Sequence, residues 1–324
     1  MIPLCSLKND RKKSTVVIIG FTQCKVGRHL STIPLDPNIG KILLLGSIFQ
    51  CLNPALTIAA ALAYSNPFVL PINRKEEADD AKRSFAGDSC KLQVRQIVTE
   101  KCSLRILFKR IYCIDHGWKE AKPSGNEKQF CWDNFLSSVT LRLIDDMRLQ
   151  FLNLLSYIEF VDKSRGPNAY NQYSHDLEMV CVILCAGLYP NVVQCKRRGK
   201  RTAFYTKEVG KVDIHPASVN ARVHLFPLPY MVYSEKVKTT SIYIMPCFCL
   251  AVIFPGENGE GIEMLGGYLH FSASKSVIDL IWKLHGELDK LLNRKIEEPG
   301  LDINAEGKGV VAAAVELLHS QTIR

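Results

Sequence analysis

The chain has 324 residues, of which 47% are hydrophobic and 23% charged, so it can bury a core and hold two or three domains. This composition excludes a disordered chain and a small disulfide scaffold. The net charge of +9 is unevenly spread. Met1–Lys25 and Lys91–Asp115 each contribute +4, so the remaining residues together carry only +1. The total charge therefore does not indicate a nucleic-acid ligand, and only a local excess of positive charge can do so.

Twelve cysteines without a secretory signal indicate reduced thiols and a cytoplasmic or nuclear protein that is not secreted. Two close cysteine pairs raise the alternative of a zinc site, Cys181 with Cys185 and Cys247 with Cys249. About sixty residues separate the pairs and no histidine accompanies them, so buried thiols are favoured and no metal ligand is assigned.

One apolar stretch, Lys41–Tyr64, approaches the length of a membrane span. Gln50, Asn53 and Pro54 interrupt it near its middle and leave two segments of ordinary core-helix length. The sequence therefore predicts a protein without a membrane partner.

The first half of the chain shows helical periodicity. Asp36 and Pro37 are a typical helix start, because Asp caps the first turn and Pro suits the first helical position. Further helices are predicted in order, and a linker follows them at Asp162–Tyr173. The predicted helices are Asn38–Cys51, Pro54–Tyr64, Arg74–Phe85 and His116–Lys122, and strong helical periodicity follows over Lys128–Glu159.

The second half mixes strands and helices. A helix at His175–Gly187 leads into Leu188–Ile244, which contains four or five short segments rich in β-branched and aromatic residues. Short strands at this spacing predict a small barrel or sandwich. One more strand is expected at Gly261–Ser274, followed by helices at Val277–Ile296 and Gly309–His319. The fold class predicted is α+β: a helical bundle, a small β-barrel and C-terminal helices.

The β-region is locally basic. Ala186–Met245 contains ten Lys or Arg against three Asp or Glu, and the stretch KRRGKR forms a turn around Gly199. A small basic β-unit is a candidate for nucleic-acid binding. On this pattern alone, a β-module with solvated lysines is an equal alternative.

Signatures of catalysis are missing from the sequence. It contains no P-loop, no G-x-S-x-G, no H-E-x-x-H and no G-x-G-x-x-G. His29, His116, His215 and His270 have no partner that spacing alone can assign. We therefore predict no catalytic residues, and no ATP hydrolysis by this chain alone.

Four blocks of the sequence resemble the successive parts of one family. The first is GRHLSTIPLDPNIGKILLLGSIFQCLNPALTIAAALAYSNPFVLP, and the second is FCWDNFLSSVTLRLIDDMRLQFLNLL. The third comprises LCAGLYPNVVQ, VDIHPASVN and YMVYSEKVKTTSIYI, and the fourth is GIEMLGGYLHFSASKSVIDLIWKLHGELDKLLNRKIEEP. In this order they resemble the helicase-associated segment, the helical bundle after it, the oligonucleotide-binding (OB) barrel, and the closing strand with the tail helix. The family is that of the DEAH/RHA-type (DExH-box) RNA helicases of plants.

The resemblance implies five parts: an off-pattern start at 1–25, a helicase-associated domain at 26–161, a linker at 162–174, an OB barrel at 175–274 and C-terminal helices at 275–324. The two RecA-like motor domains of the family are missing from this sequence. Residues 1–25, 91–115 and 245–258 depart from the family pattern and hold six of the twelve cysteines. We interpret these departures as an altered reading of the gene, such as retained intervening sequence, which would damage the barrel just after Ile244.

By resemblance, the chain is an RNA-binding accessory region of an ATP-dependent helicase, with ATP and Mg²⁺ only in the motor domains of the family and no cofactor here. Its expected ligand is single-stranded RNA or DNA. The residues expected to contact RNA are Arg197, Arg198, Lys200, Arg201, Tyr205, His215, Lys236, Lys238 and Thr239. For Tyr205, a place in the barrel core is an equal alternative. Two other readings stay open: a module that docks a motor-containing helicase or its activator, and a truncated product without independent function.

Overall fold

The structure is a computed structural model of the chain. It describes residues 35–64, 67–84, 114–250, 260–264, 268–273 and 275–320, apart from 217, 219–220, 222–225, 227–228 within the third range. The predicted segments at 1–25 and 91–113 lie outside the described residues, as does most of 245–258.

The N-terminal part is helical, with α1 at Pro37–Ile48, α2 at Leu52–Ala63 and α3 at Lys75–Ser84. A short helical stretch at residues 114–121 follows, then α4 at Glu127–Asp133 and α5 at Ser138–Tyr157. The Asp36 carboxylate accepts a hydrogen bond from the Asn38 amide at 2.8 Å, and Pro37 is the first helical residue. The predicted cap of this helix is confirmed.

The helical periodicity predicted over Lys128–Glu159 is divided between two helices, because α4 ends at Asp133 and α5 begins at Ser138. Phe135 between them has a φ of 53°, in the left-handed region. The intervening backbone pairs with an upstream segment: Val69 N donates to Phe135 O and Ser137 N to Pro67 O, each at 2.8 Å. These tertiary hydrogen bonds outweigh the continuous apolar periodicity.

The predicted linker is packed rather than extended in solvent. It forms two short 3₁₀ turns, Lys163–Arg165 and Pro167–Tyr170. Tyr170 is buried, and its hydroxyl accepts a hydrogen bond from Asp162 N at 2.8 Å. The Asn171 side chain accepts from Asn53 N at 2.7 Å, which ties the segment to the start of α2. A domain boundary here stays a prediction.

Helix α6, Leu177–Leu188, leads into a closed five-stranded barrel. Its strands are β1 Val192–Arg198, β2 Arg201–Thr206, β3 Gly210–Ile214, β4 Tyr230–Lys238 and β5 Ile242–Leu250. The strand order is β1-β2-β3-β5-β4, closed by pairing of β4 with β1, and β3 runs parallel to β5. The barrel interior is a small apolar cluster formed by Val193, Phe204, Val212, Met231, Tyr233 and Ile244.

Strand β5 continues through the segment that was predicted to depart from the family. Its pairing with β4 extends from Lys238 opposite Ile242 to Tyr230 opposite Leu250. The barrel is therefore closed, and the interruption expected after Ile244 is absent as far as Leu250. The origin of residues 245–258 in an altered reading of the gene stays a prediction.

The C-terminal part contains β6 Glu260–Met264 and β7 Leu269–Ala273, followed by α7 Lys275–Glu297, α8 Ile303–Glu306 and α9 Lys308–Ser320. The single strand predicted over Gly261–Ser274 is wrong, because β6 and β7 pair antiparallel. The sequence signal for a turn, Gly266-Gly267, lies outside the described residues and was overlooked.

One large apolar core joins the three parts. It contains residues of α1, α2, α5 and α6, the outward side chains Val192, Tyr230 and Val232 of the barrel, and residues of α7–α9. Gly187 of α6 lies so close to α1 that a Cβ there would meet Ile42 Cγ1 at 2.2 Å.

Two lysine side chains, half-buried Lys41 and buried Lys295, reinforce these joints. Lys41 of α1 donates to Tyr189 O, at the end of α6. Lys295 of α7 donates to Glu159 O and Leu301 O, each at 2.7 Å, and also to Pro299 O. No helix within the described ranges combines the length and apolar character needed to cross a bilayer.

Candidate nucleic-acid interface

The β1–β2 hairpin carries the densest positive charge of the described barrel. The residues predicted as a loop are mostly strand: Arg197 and Arg198 end β1, Arg201 begins β2, and only Gly199 and Lys200 form the turn. Gly199 has a φ of 61°, a conformation that glycine adopts without strain. The sequence therefore makes a tight reversal that projects four cationic side chains from one end of the barrel.

These side chains are available to a ligand. Lys196, Arg197, Arg198, Lys200 and Arg201 are all exposed, and none forms an ion pair with an acidic residue in the described part of the chain. Arg198 and Arg201 lie directly opposite each other in the strand pair. Like charges in that position repel, so the arrangement costs stability rather than adding to it.

Tyr205 lies on the outer face of the barrel. Its neighbour Phe204 points into the interior, and side chains alternate along a strand. The core alternative for Tyr205 is therefore wrong. Gln194 of β1 and Lys211 of β3 are its cross-strand partners, and Lys196 Nζ lies 5.3 Å from its ring centroid.

A tyrosine from the C-terminal part braces this strand. The Tyr268 hydroxyl donates a hydrogen bond to Tyr205 O. Burial raises the pKa of Tyr268 to about 12, although the Gln194 backbone N–H partly opposes the shift. The backbone that presents Tyr205 is thus held by the segment between β6 and β7, while the Tyr205 side chain stays half-exposed.

The end of β4 and the β4–β5 turn carry the second predicted group. Lys236 Nζ lies 3.1 Å from Glu208 Oε2 in the β2–β3 turn. Partial burial lowers the pKa of Lys236, but hydrogen bonds to Glu208 and Tyr233 outweigh it and leave that pKa raised. Lys238 and Thr239 are exposed, and Thr239 N donates to Ser241 O at 2.9 Å to close the turn.

His215 follows β3 and is half-buried. Its ring meets Tyr243 of β5 edge-on, with centroids 5.6 Å apart, and its backbone N donates to Ile244 O at 3.2 Å. Asp213 and Tyr243 are partners in the β3–β5 pairing, so His215, Asp213 and Tyr243 share the outer face.

The structure does not bring all predicted residues together. The β1–β2 turn lies at one end of the barrel, whereas the β2–β3 and β4–β5 turns precede the parallel strands β3 and β5 at the other end. Arg197, Arg198, Lys200 and Arg201 are therefore separated from Lys236, Lys238 and Thr239. Tyr205 and His215 lie on the face between the two ends. Lys196, Lys211 and Tyr243 belong to the same face and were missed, although strand alternation was a usable signal.

The seam between helices and barrel is a poorer site for phosphates. An open cleft of about 460 Å³ lies there, and the carboxylates of Asp36 and Glu235 line it without any lysine or arginine. Negative charge without compensating cations repels a phosphate backbone. The outer face of the barrel is the better candidate interface.

No metal site emerges from the described side chains, among which no group of three or more His, Cys, Asp or Glu could hold an ion. Cys181 and Cys185 are buried within α6. Neither ATP nor Mg²⁺ has an assigned site, since the sequence contains no P-loop.

Three family models match the chain in the order of its parts. The ratchet-like helicase-associated domain matches residues 36–97, the oligonucleotide/oligosaccharide-binding fold residues 180–250, and the C-terminal domain in RNA helicases residues 261–320. The first two matches extend into the segments at 91–115 and 245–258 that were predicted to depart from the family.

Full-length relatives are DExH-box enzymes. The chain is 67% identical over 91% of its length to the DExH-box ATP-dependent RNA helicase DExH1 of Arabidopsis thaliana, and covers 29% of that protein. It is 33% identical over 91% of its length to DExH3 of the same plant and to the human ATP-dependent DNA/RNA helicase DHX36, covering 24% and 30% of them. The chain therefore spans less than a third of these relatives. It corresponds to the C-terminal region of DExH-box RNA helicases and carries their helicase-associated, OB-fold and C-terminal domains.

Proposed function

We propose that this chain is an RNA-binding accessory region of a DExH-box RNA helicase, which grips single-stranded RNA while a motor elsewhere hydrolyses ATP. The single observation that carries the proposal is the β1–β2 hairpin. It projects Arg197, Arg198, Lys200 and Arg201 into solvent without acidic partners in the described chain. Such side chains neutralise phosphates and release counterions, which gives affinity without sequence preference.

The second basic group extends the grip to the other end of the barrel. Lys238 ends β4 and Thr239 begins the β4–β5 turn. OB folds bind oligonucleotides with the β1–β2 and β4–β5 loops and the strand face between them. Lys236 contributes less, because Glu208 already neutralises it. A role with RNA also implies a cytoplasmic or nuclear location.

The proposal assigns no ATPase to this chain. A P-loop supplies the backbone amides and the lysine that hold the phosphates of ATP, and the sequence lacks one. We expect no RNA-stimulated ATP hydrolysis above background by the purified chain. Turnover that survives removal of trace contaminants would contradict this part of the proposal.

The proposed binding is tested by fluorescence anisotropy with the full 324-residue chain and labelled oligo(U). We expect measurable binding that weakens steeply as salt rises, with a log–log slope of about −0.7 per phosphate contact. Absence of binding at low salt, for a chain that unfolds cooperatively, would remove the proposed function.

A second candidate function, docking of a motor-containing helicase, rests on a different surface. Ile72, Trp132 and Val139 are 96%, 73% and 63% exposed, and each lies within four residues in sequence of Phe68 or Leu136, which pair with each other. Exposed apolar residues of this size are typical of contact surfaces. Trp132→Ser should weaken binding to purified DExH-box motor domains in a pull-down, with RNA binding unchanged. Equal capture of the motor domains by the wild type and the Trp132→Ser variant would argue against this candidate.

A further inference from the structure

We infer that the outer face of β2, β3 and β5 is a base-stacking track for single-stranded RNA, with Tyr205 and Tyr243 as its two platforms. The inference rests on the proposed function and adds to it a place for the bases. Neither aromatic belongs to the barrel core, and both are half-buried on the outer face. An aromatic ring on a barrel face stacks any base, because every base has a π-face.

The strand pairing sets the geometry of the track. Tyr205 is opposite Lys211, and Asp213, two residues further along β3, is opposite Tyr243. With a strand spacing of about 4.8 Å and a rise of about 3.3 Å per residue, the two tyrosines lie roughly 12 Å apart at the backbone. Bases stacked in a helix are only about 3.4 Å apart, so the platforms suit bases that have separated. The track should therefore select single strands over duplex.

Charged side chains flank the platforms. Lys196 Nζ lies 5.3 Å from the Tyr205 ring centroid, and exposed Lys211 is its cross-strand neighbour on the other side. Both can pair with phosphates on either side of a stacked base. The rings of His215 and Tyr243 form a T-shaped pair with centroids 5.6 Å apart, which fixes the position of the Tyr243 ring on the outer face.

One acidic residue interrupts the track and provides an unusual test. Asp213 is exposed between the two platforms. Its carboxylate repels nearby phosphates, so Asp213→Asn should tighten RNA binding by about two- to fivefold. If this face did not bind RNA, neutralising Asp213 would raise the affinity no more than neutralising an exposed acid elsewhere. Asp279→Asn on α7, which removes an exposed acid outside the barrel, is the matched control.

The decisive experiment measures oligo(U) and an RNA duplex against the full chain and its Tyr205→Leu and Tyr243→Leu variants. Loss of one stacking partner should weaken oligo(U) binding by about 5- to 100-fold and leave duplex binding unchanged. Tyr205→Phe keeps the ring and should bind like the wild type. Single-stranded DNA should show the same losses, because stacking does not use the 2′-hydroxyl.

The outcomes distinguish base stacking on the track from the phosphate contacts of the proposed function. If both leucine variants bind oligo(U) like the wild type while neutralised hairpin arginines weaken it, the track is overturned and the proposed function stands. If neither set of variants changes binding, both are overturned. Cooperative unfolding of each variant at the wild-type midpoint confirms that a loss of affinity comes from the removed ring and supports the track.

Discussion

Neutralising the cross-strand arginine pair should separate binding from stability. In Arg198→Gln/Arg201→Gln the hairpin loses two exposed cations that face each other across the strand pair. On single-stranded RNA each phosphate contact contributes about 0.7 to the salt slope, so the slope should fall in magnitude by about 1.4. At about 0.1 M salt, a tenth of the 1 M reference, two contacts correspond to about 1.4 decades, or roughly 25-fold in affinity.

The same substitution should not destabilise the fold. Like charges directly opposite each other in a strand pair are unfavourable, and a cross-strand pair contributes about 0.2–1 kcal/mol. The variant should therefore unfold in urea with a free energy equal to that of the wild type or up to about 1 kcal/mol higher. Weaker binding together with equal or greater stability is expected of residues retained for a ligand.

The assay is anisotropy of labelled oligo(U) across a salt series, paired with urea unfolding of the same preparations. The matched control, Lys128→Gln/Lys283→Gln, removes the same charge from two exposed positions outside the barrel. It should leave the salt slope within about 0.3 of the wild type, because it removes no phosphate contact. An unchanged slope in the arginine variant, or an equal change in the control, would refute the reasoning.

Three further predictions concern the joints between the parts. Lys295→Met leaves carbonyl acceptors without their donor and should lower the free energy of unfolding by about 2 kcal/mol in urea; a change below about 0.5 kcal/mol would contradict this. Gly187→Ala should cost about 1–3 kcal/mol in the same measurement, because its methyl would overlap Ile42, and an unchanged midpoint would count against the close approach. Burial lowers the pKa of Lys41 from 10.5 to about 8, so between those pH values the unfolded chain binds more protons. The wild type should therefore gain roughly 3 kcal/mol relative to Lys41→Met as pH rises through that range, and parallel pH profiles would rule this out.

Sequence reasoning located the barrel because its signals are local. β-branched and aromatic segments, with Gly199 in a tight reversal, predict strands wherever the rest of the chain lies. The helix cap at Asp36 was equally predictable, since the capping residue and Pro37 are adjacent in sequence. Such features depend on neighbours within a few residues, which a sequence displays directly.

Most features that sequence reasoning failed to predict involve partners distant in sequence, and the overlooked Gly266-Gly267 turn signal is the local exception. The break at Phe135 is stabilised by hydrogen bonds to Pro67 and Val69, which no periodicity within Lys128–Glu159 can reveal. The buried ammonium of Lys295 reaches Glu159 from 136 residues away. The sequence alone assigns no role to Lys295, because buried unpaired lysines are rare and the carbonyl acceptors are set only by the tertiary fold.

Only part of the candidate interface could be predicted from the sequence, for a related reason. Arg197, Arg198, Lys200 and Arg201 are contiguous in sequence, so their charge is apparent in KRRGKR. Lys196, Lys211 and Tyr243 join the same face only through the pairing of β1, β2, β3 and β5.

Division of the basic residues between the two ends of the barrel changes what the region can do. A single basic patch would hold a strand at one point, and a duplex could satisfy it as well as a single strand. The proposed track, with charge at both ends and two separated aromatic rings between them, would require a strand that lies across the face with its bases unstacked. An accessory region built in this way would favour the product of unwinding over its substrate. Its contribution to a helicase would then be retention of the separated strand, which needs no ATP site in the barrel itself.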